Sequence, residues 1–176
     1  ALVASPGKFN FYLNNSAYNS GSKAGYYSPD HANIRDGFEP GVEIRVKYTY
    51  STGTLYGWRG KIYDITPGAS SYKPFTKVVA YDWMKEAQEH KFQAITTATD
   101  QTADQVIDTL VDCLPTSSQP ESTDYETGKS VFPYAFDSER DEKTSIMTVL
   151  QKAAQTELGK VYVNSGDGDG EQLVFE

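Results

Sequence analysis

Residues 42–81 constrain the fold most, because segments of alternating apolar and polar residues are separated there by short turns. Every second residue is apolar or aromatic over 42–50, and the alternation returns over 75–81. A period of two places successive side chains on opposite faces of a strand, so both segments are predicted strands. Residues 51–53 supply a tight turn into a returning strand over 54–65, which makes a hairpin.

Two glycines interrupt the returning strand of this hairpin. Gly57 and Gly60 remove side-chain packing, which is typical of a bulge or of the sharp bend where a small barrel turns a corner. An earlier segment, 8–14, also alternates, whereas 15–40 is rich in Asn, Ser, Gly, Tyr and Pro and is predicted to be a long ordered loop. The first half is therefore expected to form a small closed antiparallel β-barrel with long loops.

The second half of the sequence predicts helices. Asp82 is suited to cap a helix that ends at about Lys91, and Thr102 with Gln105 has the spacing of a capping box before an apolar stripe that ends at Pro115. A third helix is predicted over 141–158, with Gly159 as its stop.

Two further segments complete the pattern. Residues 116–129 have little to bury and are expected to be an exposed loop or linker, the best candidate for a domain boundary. Residues 160–164 and 172–175 are a predicted hairpin. The fold class is accordingly α+β, with helices and a partial second β-domain after the barrel.

The charge of the chain is unevenly distributed. Residues 1–95 carry 11 Lys and Arg against 8 Asp and Glu, whereas residues 96–176 carry 5 against 16. The parts have net charges of +3 and −11, which give the overall −8. An acidic second half disfavours a nucleic-acid clamp. No apolar run approaches the roughly 20 residues of a membrane span, so no membrane insertion is expected.

Candidate chemical groups are few. Cys113 lies beside the apolar stripe of the second predicted helix, and neither His31 nor His90 forms a nucleophile motif with it, so we interpret it as a small packing residue. The sequence Asp167-Gly168-Asp169-Gly170 contains oxygen ligands that calcium uses, but Asp-Gly is also typical of hairpin turns, and we favour the turn.

Carboxylates provide the remaining catalytic hypothesis. Asp64, Asp82 and Glu86 could in principle supply the acid and base of a glycosidase, although carboxylates near turns and helix starts more often cap backbone amides. The sequence contains no Walker, HExxH or GxSxG motif. We therefore expect no catalytic residue, no cofactor and no metal.

Two surfaces are candidates for interaction with a partner. Tyr18, Tyr26 and Tyr27 lie in the long loop, where they either offer a flat amphipathic surface to a protein or sugar or plug one end of the barrel. Arg45 and Lys47 lie on the polar face of a predicted strand, which points into the lumen of a ring, packs between subunits or faces solvent.

Four short sequence words, in this order, resemble the N-terminal part of phage tail hub proteins, the late-control-D-like family related to the first module of VgrG spike proteins. They are FYLNN at 11–15, EPGVEI at 39–44, LYGWRGKI at 55–62 and LGKVYV at 158–163. The closing AYDWM at 80–84 fits the same order. Their order and spacing, rather than any one word, carry the resemblance.

The resemblance implies a barrel domain over 1–92, a helical insertion and linker over 93–130, and the beginning of a second barrel-like domain over 131–176. It also implies a non-enzymatic structural role in a ring, formed by a trimer, that joins the tail tube to the baseplate or spike of the virion tail. Its partners would be other tail and baseplate proteins. Because the sequence stops at Glu176, most of the second barrel is expected to be either absent or rebuilt, and the chain to be either a fragment or a processed product. A carbohydrate- or receptor-binding module that uses the Tyr-rich loop is the alternative.

Overall fold

The computed structural model describes residues 3–68, 74–91, 95–136, 144–165 and 170–176. The fold is α+β, as expected, with three small sheets and three helices in the described part of the chain. None of the described helices has both the length and the apolar character that a membrane crossing requires.

The first sheet is antiparallel and has the strand order β1-β4-β3-β2. Strands β1, β2 and β4 were expected from their alternation and β3 as the returning strand of a hairpin, and the boundaries agree to within about two residues. Their bounds are β1 Lys8–Asn14, β2 Glu43–Tyr50, β3 Gly53–Pro67 and β4 Phe75–Tyr81.

The prediction of a closed barrel is wrong. The first sheet curls into a half-barrel, and its edge strands β1 and β2 do not pair with each other. The loop between them covers the concave face instead, where buried Tyr27 and Phe38 pack with Ile62 and Val78. Because this loop already shields the apolar face from water, burial of that face does not require the edges to pair.

The two strand glycines have different roles. The register of β2 against β3 shifts between Val46 and Lys47, which leaves Gly57 as the extra residue of a β-bulge, as predicted. Gly60 lies in regular pairing, but a side chain there would collide with the Tyr81 carbonyl and the Trp58 ring. Because Gly60 has no side chain, β3 and β4 can approach each other closely where the sheet bends.

The second half packs around a separate, larger core. Its strands form a two-stranded sheet, β5 with β7, and a three-stranded sheet of order β6-β9-β8. The buried side chains of α2 and α3 pack against α1, β8 and β9. The bounds are α1 Met84–Glu89, β5 Ala98–Thr102, α2 Ala103–Asp112, β6 Ser122–Tyr125, β7 Val131–Ala135, α3 Ile146–Glu157, β8 Val161–Asn164 and β9 Gln172–Phe175.

Helix ends follow local chemistry. Thr102 and Gln105 form the predicted capping box of α2. Helix α1 ends at Glu89, short of Lys91. The backbone amide of Thr148 donates to the Ser145 hydroxyl, which caps α3. The helix therefore begins at Ile146, later than predicted, and 141–143 of the predicted start lie outside the described residues. At its other end Leu158, with φ 58°, adopts the left-handed conformation, one residue before the predicted Gly159.

The prediction of an exposed loop over 116–129 was wrong in part. A short 3₁₀ turn, Thr116–Ser118, is followed by β6, which pairs in parallel with β9. Asp124 disfavours a strand while Thr123 and Tyr125 favour one, so four residues give no clear local signal and pairing with the apolar strand β9 decides the conformation. The predicted hairpin of β8 and β9 is confirmed as an antiparallel pair.

Gly60→Ala tests the close approach of β3 and β4. The new methyl group would press on the Tyr81 carbonyl, which cannot move without separating the strands, so we expect a loss of about 1–3 kcal/mol in the free energy of unfolding, measured in urea. Gly57→Ala is the matched control, because its nearest neighbour is the exposed Tyr48 ring, which can rotate. Equal losses in the two variants would contradict this account.

Candidate functional site

The corner between β4 and α1 is where the first sheet meets the second half of the chain. Trp83 is buried at this corner, and its indole Nε1 donates to the Ser118 carbonyl at 2.8 Å. Its backbone amide donates to Glu171 Oε1 at 2.6 Å. One residue therefore joins the corner to two segments that lie 35 and 88 residues further along the chain.

Asp82 holds the same corner from the other side. Its Oδ1 accepts from the amide of Met84, the first residue of α1, at 3.1 Å, although the N-cap position is Trp83, one residue later than predicted, and has no side-chain cap. Its Oδ2 accepts from the Gly7 amide at 2.8 Å, and the Asp82 amide in turn donates to the Gly7 carbonyl. Burial raises the pKa of Asp82 to about 6, against the lowering effect of the two amide donors.

Glu171 is a buried carboxyl that sequence reasoning missed. Only 8% of it is exposed, and burial, reinforced by the nearby Asp82 charge, raises its pKa to about 7. The Trp83 amide and the positive charges of Lys61 and Arg59 act in the opposite direction. No local pattern marks Glu171, because its partner is distant in sequence and the preceding Gly-Asp loop suggests only a turn.

Two basic residues of β3 extend across the corner. Arg59 is paired with Glu43 and, at 2.6 Å, with Glu121. Lys61 Nζ donates to the Ser117 carbonyl at 2.7 Å and lies 3.5 Å from Glu86. These contacts connect β3 to the segment before β6, and they supply positive charge beside the buried carboxyls.

A cleft of about 320 Å³ opens beside this corner. Tyr63 and Tyr81 pack edge to face on one side of it, and the Lys85 ammonium lies over both rings. Asp82 and Glu171 also line the cleft. Their oxygens already accept backbone amides, so the chemistry that the geometry supports best for them is structural anchoring.

The predicted carboxylate trio is not assembled in one place. Asp82 and Glu86 both line the cleft, whereas Asp64 is not among its lining residues and accepts a hydrogen bond from the Thr66 hydroxyl at 2.7 Å. The Glu86 carboxylate lies 3.5 Å from the Lys61 ammonium and 3.5 Å from the His90 imidazole. The structure thus brings together two of the three residues.

The three loop tyrosines have different environments. Tyr18 is 93% exposed, whereas Tyr27 is 7% exposed and packs edge to face against Phe38. The Tyr27 hydroxyl lies 2.6 Å from the Ser20 hydroxyl, and Tyr26 is half-buried against the Tyr27 ring. Tyr27 therefore packs over the concave face of the sheet, and Tyr18 is the most exposed of the three.

Arg45 and Lys47 both lie on the exposed face of edge strand β2. The Arg45 guanidinium is 5.3 Å from the centre of the Tyr56 ring, and this contact limits its freedom. Within the part of the chain that the structure describes, neither side chain has a carboxylate partner in an ion pair. They stay candidates for an interaction surface.

The remaining chemical candidates have ordinary surroundings. Cys113 is half-buried, its thiol donates to the Thr109 carbonyl at 3.1 Å, and burial followed by the Asp112 charge raises its pKa. His31 is exposed. In the predicted metal loop, 167–169 lie outside the described residues. Among the described residues, no three His, Cys, Asp or Glu are grouped to hold a metal ion.

No protein-family model and no curated protein matches this sequence. The fold, in contrast, is similar to that of a prophage tail protein. The similar structure is the 43 kDa tail protein of prophage MuSo2 from Shewanella oneidensis, with a TM-score of 0.51 at 11% sequence identity. The match covers 76% of this chain and 45% of that chain, so the chain spans less than half of the tail protein's length. At this low sequence identity, the similarity concerns the fold alone.

Replacement of the loop tyrosines separates their roles. Tyr27→Ala removes a buried ring and should lower the free energy of unfolding by about 3–5 kcal/mol, whereas Tyr18→Ala should change it by less than about 0.5 kcal/mol. Both values can be measured by urea denaturation. A large effect at Tyr18 would contradict its placement in solvent.

The buried carboxyl of Glu171 predicts a pH-dependent stability. Between the unfolded pKa near 4.5 and the folded pKa of about 7, the folded protein holds a proton that the unfolded chain releases. Stability should therefore fall as the pH rises through this window. Glu171→Gln keeps an oxygen acceptor for the Trp83 amide, and it should reduce the loss between about pH 5 and pH 8 by about 2 kcal/mol.

Asp82 contributes a smaller decline at lower pH, which should persist in Glu171→Gln. Glu126→Gln, at an exposed site, is the control for loss of one carboxylate. Urea denaturation at a series of pH values measures all three proteins. If Glu171→Gln and the wild type had parallel pH profiles, the carboxyl would not be buried as described.

Proposed function

We propose that this chain is a structural component of a phage or phage-like tail and has no catalytic activity of its own. The observation that supports this most is the fold likeness to a prophage tail protein over 76% of the chain. The order of the four sequence words, which resembles tail hub proteins, points independently in the same direction.

The finer proposal is a hub or baseplate role. Copies of the protein, a trimer in the assembled particle, would form a ring that joins the tail tube to the baseplate or spike. The first sheet is suited to pairing with a neighbouring copy, because its edge strands β1 and β2 carry backbone groups without a strand partner in the described chain. Partners would be other tail proteins, and the site of action would be the virion tail, assembled in the host cytoplasm.

The absence of catalysis is part of the proposal. The two most buried carboxyls of the cleft, Asp82 and Glu171, are engaged by main-chain amides. A general acid or base has to reach a substrate proton within hydrogen-bond distance, and these oxygens would first have to leave their donors. The carbohydrate-binding alternative would have to depend chiefly on Tyr18, because Tyr27 is packed inside.

Labelling of assembled particles tests the structural role. Tail particles purified from the producing strain, treated with an antibody against this chain, should be labelled at one end of the tail in electron micrographs. Deletion of the coding region should leave tubes without that end structure, and expression of the intact sequence in trans should restore it. Particles that assemble completely without the chain would overturn the proposal.

A control for the same proposal concerns catalysis. The purified chain should release no soluble fragments from cell-wall peptidoglycan under conditions in which a known wall hydrolase, the positive control, does release them. Release that disappears in Asp82→Asn while the protein stays folded would establish an enzyme instead.

A further inference from the structure

The cleft beside the β4–α1 corner contains more negative than positive charge. Among its described lining residues, six are Asp or Glu and two are Lys. Four of the six carboxylates are paired with Lys61, Lys85 or Arg59. The other two, Asp82 and Glu171, form no ion pair with another residue that the structure describes. Charge complementarity therefore favours a cationic ligand in this cleft.

Glu171 is the carboxyl that has capacity for such a ligand. Asp82 accepts a main-chain amide on each of its oxygens, whereas in the described part of the chain Glu171 accepts only the Trp83 amide, on Oε1. A carboxylate has about four lone-pair sites, so Glu171 can accept a further donor and keep the Trp83 amide. Because Glu171 is 8% exposed and lines the cleft, that donor reaches it through the cleft.

The aromatic wall of the cleft already holds a cation from within the chain. The Lys85 ammonium lies 5.1 Å from the centre of the Tyr63 ring and 5.3 Å from that of the Tyr81 ring. Tyrosine rings attract positive charge to their faces, and both rings line the cleft. Lys85 is also paired with Glu89 at 3.0 Å. The wall is therefore suited to a positive charge, and an external cation would compete with Lys85 for it.

A guanidinium fits these groups better than an ammonium does. It is planar and weakly hydrated, it stacks on aromatic rings, and its paired N–H donors match the oxygens of a carboxylate. The volume of about 320 Å³ is at the small end of ligand pockets, so the cleft suits one extended side chain. The excess of carboxylates repels the α-carboxylate of a free amino acid, so an arginine within a polypeptide chain is the better match.

We propose that the cleft binds an arginine side chain presented by a partner protein, with the guanidinium beside Glu171 and the rings of Tyr63 and Tyr81. The two tyrosines belong to the first sheet, and Glu171 directly precedes β9, so the bound arginine contacts both sides of the corner. The proposal rests on the proposed function only where it takes the partner to be another tail protein. The binding of arginine does not depend on that function.

Titration of the isotope-labelled protein with short capped peptides tests this site. The probe is acetyl-Gly-Arg-Gly-amide, and the matched controls carry lysine or citrulline, which keeps the shape of arginine without its charge. Two-dimensional NMR spectra at pH 8 and about 150 mM salt follow the indole and backbone N–H groups of Trp83. The arginine peptide should give saturable shifts with a Kd of about 1 mM, the lysine peptide should bind about threefold more weakly, and the citrulline peptide at least about tenfold more weakly.

Three variants locate the binding in the cleft. Glu171→Gln keeps an acceptor for the Trp83 amide but removes the charge, so it should weaken binding of the arginine peptide at least about tenfold. Lys85→Gln removes the internal competitor and should strengthen binding about threefold, a gain that impaired folding cannot produce. Glu126→Gln changes an exposed carboxylate that does not line the cleft, and it should bind like the wild type.

The ionisation of Glu171 links this binding to pH. Burial and the Asp82 charge raise the pKa of Glu171 to about 7, against the Trp83 amide and the positive charges of Lys61 and Arg59. The guanidinium pairs with the ionised carboxyl, whose population is about 10% at pH 6 and about 90% at pH 8. The affinity of the wild type should therefore rise about tenfold between these pH values, and Glu171→Gln should lose most of that rise.

Several outcomes would overturn the site. They are Trp83 signals that show no saturable shift up to about 20 mM arginine peptide, equal binding of the citrulline peptide, and unchanged affinity in Glu171→Gln. Spermidine tests for a free small cation, and tighter binding of spermidine than of the arginine peptide would make a polyamine the occupant instead of a partner's side chain.

The two proposals fail separately. A chain that binds no arginine peptide but labels the end of purified tails would remove this site and leave the proposed function intact. Binding of the peptide in the cleft, with no label on tails, would do the reverse.

Discussion

The hydrogen bonds at the β4–α1 corner hold the molecule together as one unit. Trp83 and Asp82 are consecutive residues, yet their contacts extend to Gly7, Ser118 and Glu171. The apolar cores on the two sides are separate clusters, one under the curled sheet and one around α2 and α3. Because hydrophobic burial within each cluster does not orient the other, the directional hydrogen bonds at the corner set their arrangement.

Such a corner combines stability with electrostatic cost. Burial of a carboxylate is unfavourable unless donors compensate for its lost hydration, and here main-chain amides compensate only in part, because burial still raises the pKa of both Asp82 and Glu171. Arg59 and Lys61 add positive charge at the same place, and both come from β3. Strand β3, one of the two inner strands of the first sheet, thus contributes to the electrostatics of the junction as well as to the sheet.

The sequence pattern correctly predicted the features that depend on interactions between residues close together in the chain. The alternation in β1, β2 and β4, the capping box of α2 and the bulge at Gly57 each depend on a few neighbouring residues, and the structure has all of them. Barrel closure was predicted wrongly, because no local signal shows that Tyr27 and Phe38 cover the concave face. Strand β6 and the buried Glu171 were missed for the same reason, since β9 and Trp83 are their distant partners. The resemblance to tail proteins gave the coarse class, and the hub assignment remains a prediction.

The staggered pairing of β3 also has a mechanical consequence. One half of this strand is bonded to β2 and the other half to β4, with the changeover at Lys61. A force that pulls the tip of the hairpin along the strand axis therefore acts on the β3–β4 ladder in shear, so that its hydrogen bonds share the load instead of opening one after another. The anchors at Arg59 and Lys61 lie at the point where this tension would pass into the rest of the molecule.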